Sequence, residues 1–426
     1  MLNIKFVAEN PEVVKRDLRR RKDREKVKWI DDLLKKYSEY GQLLYDLQNL
    51  RKKRNEVSLE IGRLKKERKS PAKLLREIKD IPKKIEDAEK KMEKLKEKID
   101  WYLMRLPNIM HKSVPEGADE DDNKVVRKWG TPRKFTFRPM DHIDLTNLLD
   151  FADTDKAAEV AGARFYYLKN ELVLLNYALI KFALDFIAKR GYKLLQPPYM
   201  LKRQALSGAV DLSDFEDVIY KVEGEDLHLI GTSEHSMLAF HMGEIIEGGL
   251  PIRYAAMSPC FRKEAGSHGR DTKGIFRVHQ FEKVEQFIFC RPEESWEMHE
   301  ELIKNMEEFF KALKIPYRIM NVCTGDLGTV AAKKYDLEGW LPGQGKYREL
   351  GSCSNCTDYQ ARRSGIRFRN RTSDPTKTPH TLNSTLVATE RALIAILENY
   401  QQKDGNIKIP DVLVPYMNGR KYIGKK

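Results

Sequence analysis

The chain has 426 residues, and at about 100 to 200 residues per domain it is expected to contain two or three domains. Its 41% apolar and 33% charged residues are typical of a globular protein and exclude a disordered one. No apolar run approaches the roughly 18 residues of a membrane-spanning helix, and the start lacks a signal-like stretch, so we expect a cytoplasmic protein with no membrane partner.

The net charge of +14 is unevenly distributed along the chain. Residues 1–110 contain 32 Lys and Arg against 20 Asp and Glu, whereas the remainder is close to neutral. This asymmetry favours a polyanionic partner for the N-terminal segment, and nucleic acid fits better than a membrane because no amphipathic insertion face is evident. The alternative is a solvated helix surface without a partner.

The N-terminal segment carries two series of apolar residues at alternating spacings of three and four, broken only at Arg54 in the first series, which is typical of a coiled-coil seam. The first series is Leu43, Leu47, Leu50, Val57, Ile61 and Leu64, and the second is Ile78, Ile81, Ile85, Ala88, Met92, Leu95, Ile99 and Tyr102. A polar stretch from Glu67 to Lys73, with Pro71, allows the chain to reverse. These features predict an antiparallel helical hairpin, with a kink or a late helix start at Pro82.

Residues 111–135 are rich in acidic residues, Gly and Pro, so we interpret them as an exposed linker between domains 1–110 and 136–426. In the second domain, apolar periodicity predicts a helix over Glu171 to Arg190 and another over Thr385 to Tyr400. YKLLQPPYML and VEQFIFC read as strands. Separated strands and helices without βαβ alternation indicate an α+β fold on an antiparallel sheet.

Five cysteines in a long chain argue against a disulfide framework and for a reducing compartment. Cys353 and Cys356 have a spacing that occurs at zinc sites. No second pair of soft ligands follows at similar spacing, so we expect no structural zinc.

The stretch from Phe261 to Phe287, FRKEAGSHGRDTKGIFRVHQFEKVEQF, carries the chemically informative residues. It reads as strand, loop and strand, and it could supply guanidinium groups for phosphates, an aromatic face for a base, and carboxylates for amines or metal ions. The alternative from the residues alone is a salt-bridged surface hairpin. His268 and His279 lie in this stretch and are candidates for a general base. We assign no role to His268.

This stretch resembles motif 2 of the class II aminoacyl-tRNA synthetases in its seryl form. MLNIKFVAENPEVVKRDLRRR, the charged hairpin, GYKLLQPPYML, HLIGTSEH, ELGSCSNCTDYQARR and HTLNSTLVATERALIAILENYQ are also similar to segments of seryl-tRNA synthetases, in the same order. The resemblance therefore covers essentially the whole chain. It implies a coiled-coil arm, a class II antiparallel sheet flanked by helices, and ATP-dependent serylation of tRNA.

The resemblance also implies roles for individual residues. Arg262 and Arg391 are the expected catalytic residues, and Glu349 and Ser352 the expected Mg²⁺ ligands, although Glu349 alone could be a surface carboxylate. Phe281 is expected to stack on adenine. The expected ATP-binding residues are Arg262, Lys263, Glu264, Arg277, Val278, Phe281, Glu349, Leu350, Gly351, Ser352 and Arg391.

The expected serine pocket contains Thr232, Ser233, Glu234, Glu285, Asn383 and Thr385. A carboxylate such as that of Glu285 can pair with the substrate ammonium, and a hydroxyl such as that of Thr385 can bind the substrate hydroxyl and so reject alanine. From the residues alone, Asn383 and Thr385 could instead cap a helix. The string Asn-Ser-Thr-Leu departs from the family pattern, which leaves Ser384 and Thr385 as alternatives for the hydroxyl contact. Lys263 and Gly351 also depart, because serine is common at both positions.

The family resemblance further implies a homodimer with an interface over Glu171 to Met200, and an arm that grips tRNA(Ser), or tRNA(Sec) where it is present. The candidate contacts are the Lys and Arg residues at 51–54, 63–69 and 73–84. Two rival readings are an enzyme that loads a carrier other than tRNA, and a nonenzymatic coiled-coil protein with an inactive synthetase domain. The basic arm argues against the first reading. The second is disfavoured by the joint presence of five residues expected in an active site: Arg262, Phe281, Glu285, Glu349 and Arg391.

Overall fold

The chain divides after Leu106 into two units, which we describe separately. One comprises Leu2–Leu106, and the other comprises Pro107–Lys426 together with Met1. The computed structural model describes residues 1–210, 215–264 and 273–424.

The N-terminal unit is helical throughout. Its helices are α1 (Ile4–Glu9), α2 (Pro11–Arg20), α3 (Arg24–Lys66), α4 (Ala72–Ile78) and α5 (Ile81–Leu103). The chain reverses between α3 and α4, within the polar stretch that the sequence indicates. Leu47 of α3 is buried together with Ile81, Ile85 and Ala88 of α5, as the apolar spacing requires. The predicted antiparallel hairpin is therefore confirmed.

Two ion pairs also cross the hairpin. Arg51 lies 2.6 Å from Glu89, and Lys53 lies 2.7 Å from Glu77. These pairs are exposed, so they contribute little stability beside the apolar seam. Pro82 lies in the first turn of α5, where the missing backbone N–H costs the helix little stability. Of the two alternatives predicted for Pro82, a kink or a late helix start, the structure shows the late start.

The second unit is built on an eight-stranded sheet. Its strands are β1 (Lys124–Trp129), β4 (Lys193–Leu195), β8 (Ile252–Phe261), β9 (Gln280–Cys290), β10 (Tyr317–Asn321), β11 (Lys333–Leu341), β12 (Lys346–Asn355) and β14 (His380–Ala388). They run in the order β1-β10-β11-β12-β14-β9-β8-β4. All neighbours are antiparallel except β4 and β8. The predicted α+β class is confirmed.

Eight two- or three-residue strands complete the β-structure as four small pairs. They are β2 (Ala152–Asp153), β3 (Tyr167–Leu168), β5 (Met200–Leu201), β6 (His228–Leu229), β7 (Ile245–Glu247), β13 (Arg367–Arg369), β15 (Ile407–Lys408) and β16 (Tyr422–Ile423). Prolines 197 and 198 lie between β4 and β5, as expected from the interrupted strand signal.

Helices cover the sheet. They are α6 (His142–Leu148), α7 (Thr154–Ala161), α8 (Asn170–Ala188), α9 (Arg203–Leu206), α10 (Phe215–Val218), α11 (Ser233–Ala239), α12 (Ser295–Ala312), α13 (Tyr359–Arg363) and α14 (Thr389–Tyr400). Short 3₁₀ helices occupy Glu120–Asp122, Pro292–Glu294, Asp411–Leu413 and Pro415–Met417. The apolar sides of α8, α12 and α14 form one buried core with the sheet. On the opposite sheet face, Phe287 and Phe289 of β9 belong to a second apolar cluster that includes Met237 and Leu238 of α11.

Two expectations from the sequence are wrong. The interval 111–135 is not only a linker, because β1 within it pairs with β10 at the edge of the sheet. The acidic residues that suggested a linker lie in the short helical turn just before that strand. The helix expected over Thr385 to Tyr400 begins only at Thr389, because residues 385–388 continue β14 and pair with β9.

The described helices include none that is both long and apolar enough to cross a membrane.

Candidate active site

The motif 2 stretch begins at the last residue of β8 and continues into β9, and these two strands pair antiparallel, as the two predicted strands require. Residues 265–272 between them lie outside the described residues. Phe281 and Glu285 lie on the same face of β9, because strand side chains alternate. Arg262 follows the last residue of β8, and its Nε donates to the carbonyl of Gly231 over 3.1 Å. Its guanidinium carbon lies 5.1 Å from the centre of the Phe281 ring. His268 lies outside the described residues.

An open cavity of about 750 Å³ lies above this face. Ten predicted ATP-binding residues line it: Arg262, Glu264, Arg277, Val278, Phe281, Glu349, Leu350, Gly351, Ser352 and Arg391. Thr385 lines it as well. Lys263 is not among the lining residues, and its backbone N–H donates to the carbonyl of Val218. Residues from four separate segments are thus brought together.

The arginines of the cavity are held by carboxylates. Arg277 donates to Glu264 over 2.8 Å. Arg391 lies 3.2 Å from the Oε2 atom of Glu349 and also donates to its backbone carbonyl over 3.0 Å. Burial alone would raise the pKa of Glu349, but the positive charges of Arg391 and Lys334 outweigh it and lower the pKa to about 2. Glu349 is therefore ionised at neutral pH, and its carboxylate is held at the cavity by the ion pair with Arg391.

Two β-bulges explain why residues three positions apart face the same cavity. The register of β11 and β12 shifts at Leu350, and that of β14 and β9 shifts at Leu386. In a regular strand, positions three apart point to opposite faces, and an inserted residue restores a common face. Glu349 and Ser352 both line the cavity, as do Thr385 and Ala388.

Thr385 and Glu285 are direct partners across β14 and β9. The hydroxyl of Thr385 donates to the Oε2 atom of Glu285 over 3.5 Å, and Lys283 forms a close ion pair with the same carboxylate. Burial raises the pKa of Glu285, whereas the charge of Lys283 opposes that shift. The buried side chain of Ser384 bonds to the carbonyl of Thr385, and Ser384 is absent from the cavity lining. The geometry favours Thr385 over Ser384 as the hydroxyl-binding residue.

The remaining predicted serine-binding residues lie at the start of α11 and in β14. Thr232 caps α11 by accepting from the backbone of Glu234 over 3.2 Å, and Asn383 donates to Glu234 over 3.0 Å. The Ser233 hydroxyl donates to the carbonyl of Ala256, so that side chain is already engaged. Asn383 and Thr385 lie within a strand, so the helix-capping alternative is wrong.

Four lining residues were not identified from the sequence: Phe276, Lys283, Ala388 and Glu390. Lys283 could have been found by alternation, since it lies between Phe281 and Glu285 on β9. The guanidinium groups of Arg348 and Arg391 lie 4.0 and 4.9 Å from the Phe276 ring centre. Both carboxylate oxygens of Glu390 accept from the backbone of Glu282, next to Phe281. Phe276 therefore packs against Arg391, and Glu390 holds the backbone beside Phe281.

The described residues contain no cluster of three or more His, Cys, Asp or Glu side chains that could hold a metal ion. The five cysteines are free and buried. Glu349 and Ser352 nonetheless offer oxygen ligands to the cavity, which is the ligand type that Mg²⁺ prefers when phosphates and water complete its shell.

Comparison with known proteins agrees with this geometry. Residues 1–110 match the family described as "Seryl-tRNA synthetase N-terminal domain", and residues 218–400 match "tRNA synthetase class II core domain (G, H, P, S and T)". The serine–tRNA ligase of Pyrococcus abyssi is 54% identical, with 98% of this chain and 96% of that protein covered.

Solved structures give the same result. Seryl-tRNA synthetase from Pyrococcus horikoshii complexed with ATP is 52% identical, with all of both chains covered and a TM-score of 0.95. M. kandleri SerRS, solved in complex with A. aeolicus tRNASec, is 15% identical with a TM-score of 0.58, covering 81% of this chain and 69% of that one, and shows likeness of fold alone. The chain belongs to the seryl-tRNA synthetase family and is a serine–tRNA ligase of class II.

Proposed function

We propose that the cavity binds ATP with its base on Phe281 and its phosphates among Arg262, Arg277 and Arg391. The observation that carries this assignment is the convergence of three arginines from separate segments beside one aromatic face. Glu264 and the backbone at Val278 would contact the adenine edge. Leu350 and Gly351, which were also predicted to bind ATP, would form part of the cavity wall.

The serine subsite adjoins the phosphates. Arg262 lies on the α-phosphate side, and the Thr385 and Glu285 pair lies further along β9. In this arrangement a serine carboxylate oxygen attacks the α-phosphorus and pyrophosphate leaves with the bridging oxygen. The terminal hydroxyl of tRNA then attacks the acyl carbon of seryl-adenylate, and AMP leaves. No side-chain nucleophile is required, because positioning and charge neutralisation by the arginines supply the catalysis.

Glu349 and Ser352 would hold Mg²⁺ together with phosphate oxygens and water. When bound, the ion would neutralise charge on the triphosphate. The low pKa of Glu349 supports this role, because the carboxylate stays available as an anion across the neutral range.

The N-terminal hairpin would bind tRNA. Its predicted contact lysines and arginines at 51–54, 63–69 and 73–84 are exposed, as phosphate contacts require. We extend the proposal to tRNA(Sec), because the M. kandleri relative is named in a complex with that RNA. We propose that the N-terminal unit binds tRNA and that the second unit activates serine. The boundary between them lies near Leu106 rather than at residue 110.

We also propose a homodimer in the cytoplasm. Leu174 and Tyr177 of α8 are 50% and 61% exposed, and Leu194 and Met200 are each 47% exposed. Apolar side chains so exposed within Glu171 to Met200 suit a partner surface. Five free, buried cysteines suit a reducing compartment.

The direct test is pyrophosphate–ATP exchange with each of the twenty amino acids. We expect exchange with serine, and its loss by about 100-fold or more in Arg262→Ala, in line with the loss of a charge-stabilising donor. Arg371→Ala is the matched control, since Arg371 is exposed and does not line the cavity. Equal activity in the two variants would remove Arg262 from the catalytic residues.

A further inference from the structure

Gln360 is a buried amide that neither the motifs nor the cavity explains. It lies on α13, in the segment that follows β12, and it is fully buried. A buried amide must find partners for both its NH₂ and its oxygen, so its contacts reveal what holds it there.

The two ends of the Gln360 amide have different partners. Its Nε2 atom donates to the Oε1 atom of Glu234 over 2.6 Å. Its Oε1 atom accepts from the Thr381 hydroxyl over 2.8 Å. Because the hydroxyl donates to the amide oxygen, the NH₂ group must face Glu234. Thr381 is also fully buried and so cannot exchange this partner for bulk water.

Glu234 receives a second amide on the same oxygen. Asn383 of β14 donates to the Oε1 atom of Glu234 over 3.0 Å. Two donors on one oxygen fix the carboxylate plane and direct the other oxygen, Oε2, away from Gln360 and Asn383. An ammonium group of a substrate can then pair with Oε2 without displacing either amide.

The surroundings make the charge of Glu234 depend on these donors. Burial and the nearby Glu285 raise the pKa of Glu234 to about 7, whereas the Gln360 hydrogen bond and the charges of Lys283 and Arg262 act in the opposite direction. Cys356, which accepts from Asn383 over 3.6 Å, is a further titratable group near Glu234. Loss of the Gln360 donor would therefore favour the neutral acid, which binds an ammonium poorly.

We propose that Gln360, oriented by Thr381, is a positioning residue that holds Glu234 as an anion aimed at the ammonium of serine. The inference rests on the serine pocket of the proposed function and adds to it two residues outside the cavity lining. It assigns the ammonium contact to Glu234, while Glu285 is already paired with Lys283 and Thr385.

The test measures serine-dependent pyrophosphate–ATP exchange in Gln360→Met, which keeps the length of the side chain and removes both hydrogen bonds. We expect the KM for serine to rise about tenfold or more, which corresponds to about 1.4 kcal/mol. The KM for ATP, and kcat at saturating serine, should stay within about threefold of the unaltered enzyme. Gln402→Met is the control, because the Gln402 side chain donates to the nearby carbonyl of Tyr400 and does not line the cavity.

A second pair of variants keeps the test decisive if Gln360→Met does not fold. Thr381→Val removes the hydroxyl that orients the amide, and Thr381→Ser retains it. We expect a raised KM for serine in the first and a value near that of the unaltered enzyme in the second. Equal values for the valine and serine variants would overturn the inference, as would a serine KM in folded Gln360→Met within twofold of the unaltered value. Exchange that needs no serine in the unaltered enzyme would instead contradict the proposed function itself.

Discussion

Gly351 provides a quantitative test of the serine pocket. A Cβ atom at this position would lie 2.9 Å from both Cβ and Cγ2 of Thr385 and 3.2 Å from the sulfur of Met306. Carbon atoms in contact normally lie about 3.5 to 4.0 Å apart, so Gly351→Ala must push Thr385 by roughly 0.6 Å or more. Overpacking of this kind costs about 1 to 3 kcal/mol.

The displacement should affect serine more than ATP. Thr385 bonds to Glu285 over 3.5 Å, at the limit of a hydrogen bond, so a small shift breaks that contact. We expect the KM for serine in the exchange assay to rise about fivefold or more, with the KM for ATP little changed. The control is Gly41→Ala, because a Cβ atom at Gly41 meets nothing within 4 Å.

A double variant separates the clash from a general loss of stability. Thr385→Ser removes the Cγ2 atom but keeps the hydroxyl, so Gly351→Ala combined with Thr385→Ser should recover part of the serine affinity. The two changes are in contact and should therefore be non-additive. A serine KM within twofold of the unaltered value in Gly351→Ala, or strict additivity in the double variant, would refute the steric reasoning.

Three further predictions follow from the same geometry. Thr385→Val should weaken discrimination against alanine in the exchange assay, because the substrate hydroxyl loses its partner, and unchanged selectivity would remove Thr385 from the pocket. Removal of residues 1–106 should leave serine-dependent exchange intact and abolish tRNA charging, whereas loss of both activities in a folded protein would contradict the division between the units. The pKa of Glu234 is raised to about 7, so the serine-binding anion is lost as pH falls through that value. The KM for serine should therefore fall as pH rises from 6 to 8, with Glu234→Gln abolishing the dependence.

Sequence reasoning identified the parts of the fold in which apolar residues recur at one regular spacing along a helix. The heptad spacing located the seam of the hairpin because the buried residues Ile81, Ile85 and Ala88 are four and three residues apart and pack with Leu47. The helix at Thr385 was placed too early, because the wholly buried residues 381–388 lack the polar alternation that distinguishes a strand from a helix. The strand at Lys124–Trp129 was missed because an edge strand with exposed side chains resembles a loop in composition.

In the active site, too, sequence periodicity predicts the regular part of a strand but not its irregularities. Alternation along β9 relates Phe281, Lys283 and Glu285, so a strand assignment was enough to place them on one face. Regular alternation would place Glu349 and Ser352 on opposite faces of β12, but both line the cavity because Leu350 is inserted between them. Thr385 and Ala388 of β14 share the cavity for the same reason, with Leu386 as the inserted residue. A bulge depends on the register between strands, which no single segment encodes. The expected metal ligands thus depend on an irregularity of the sheet, and deleting Leu350 should rotate Ser352 out of the cavity.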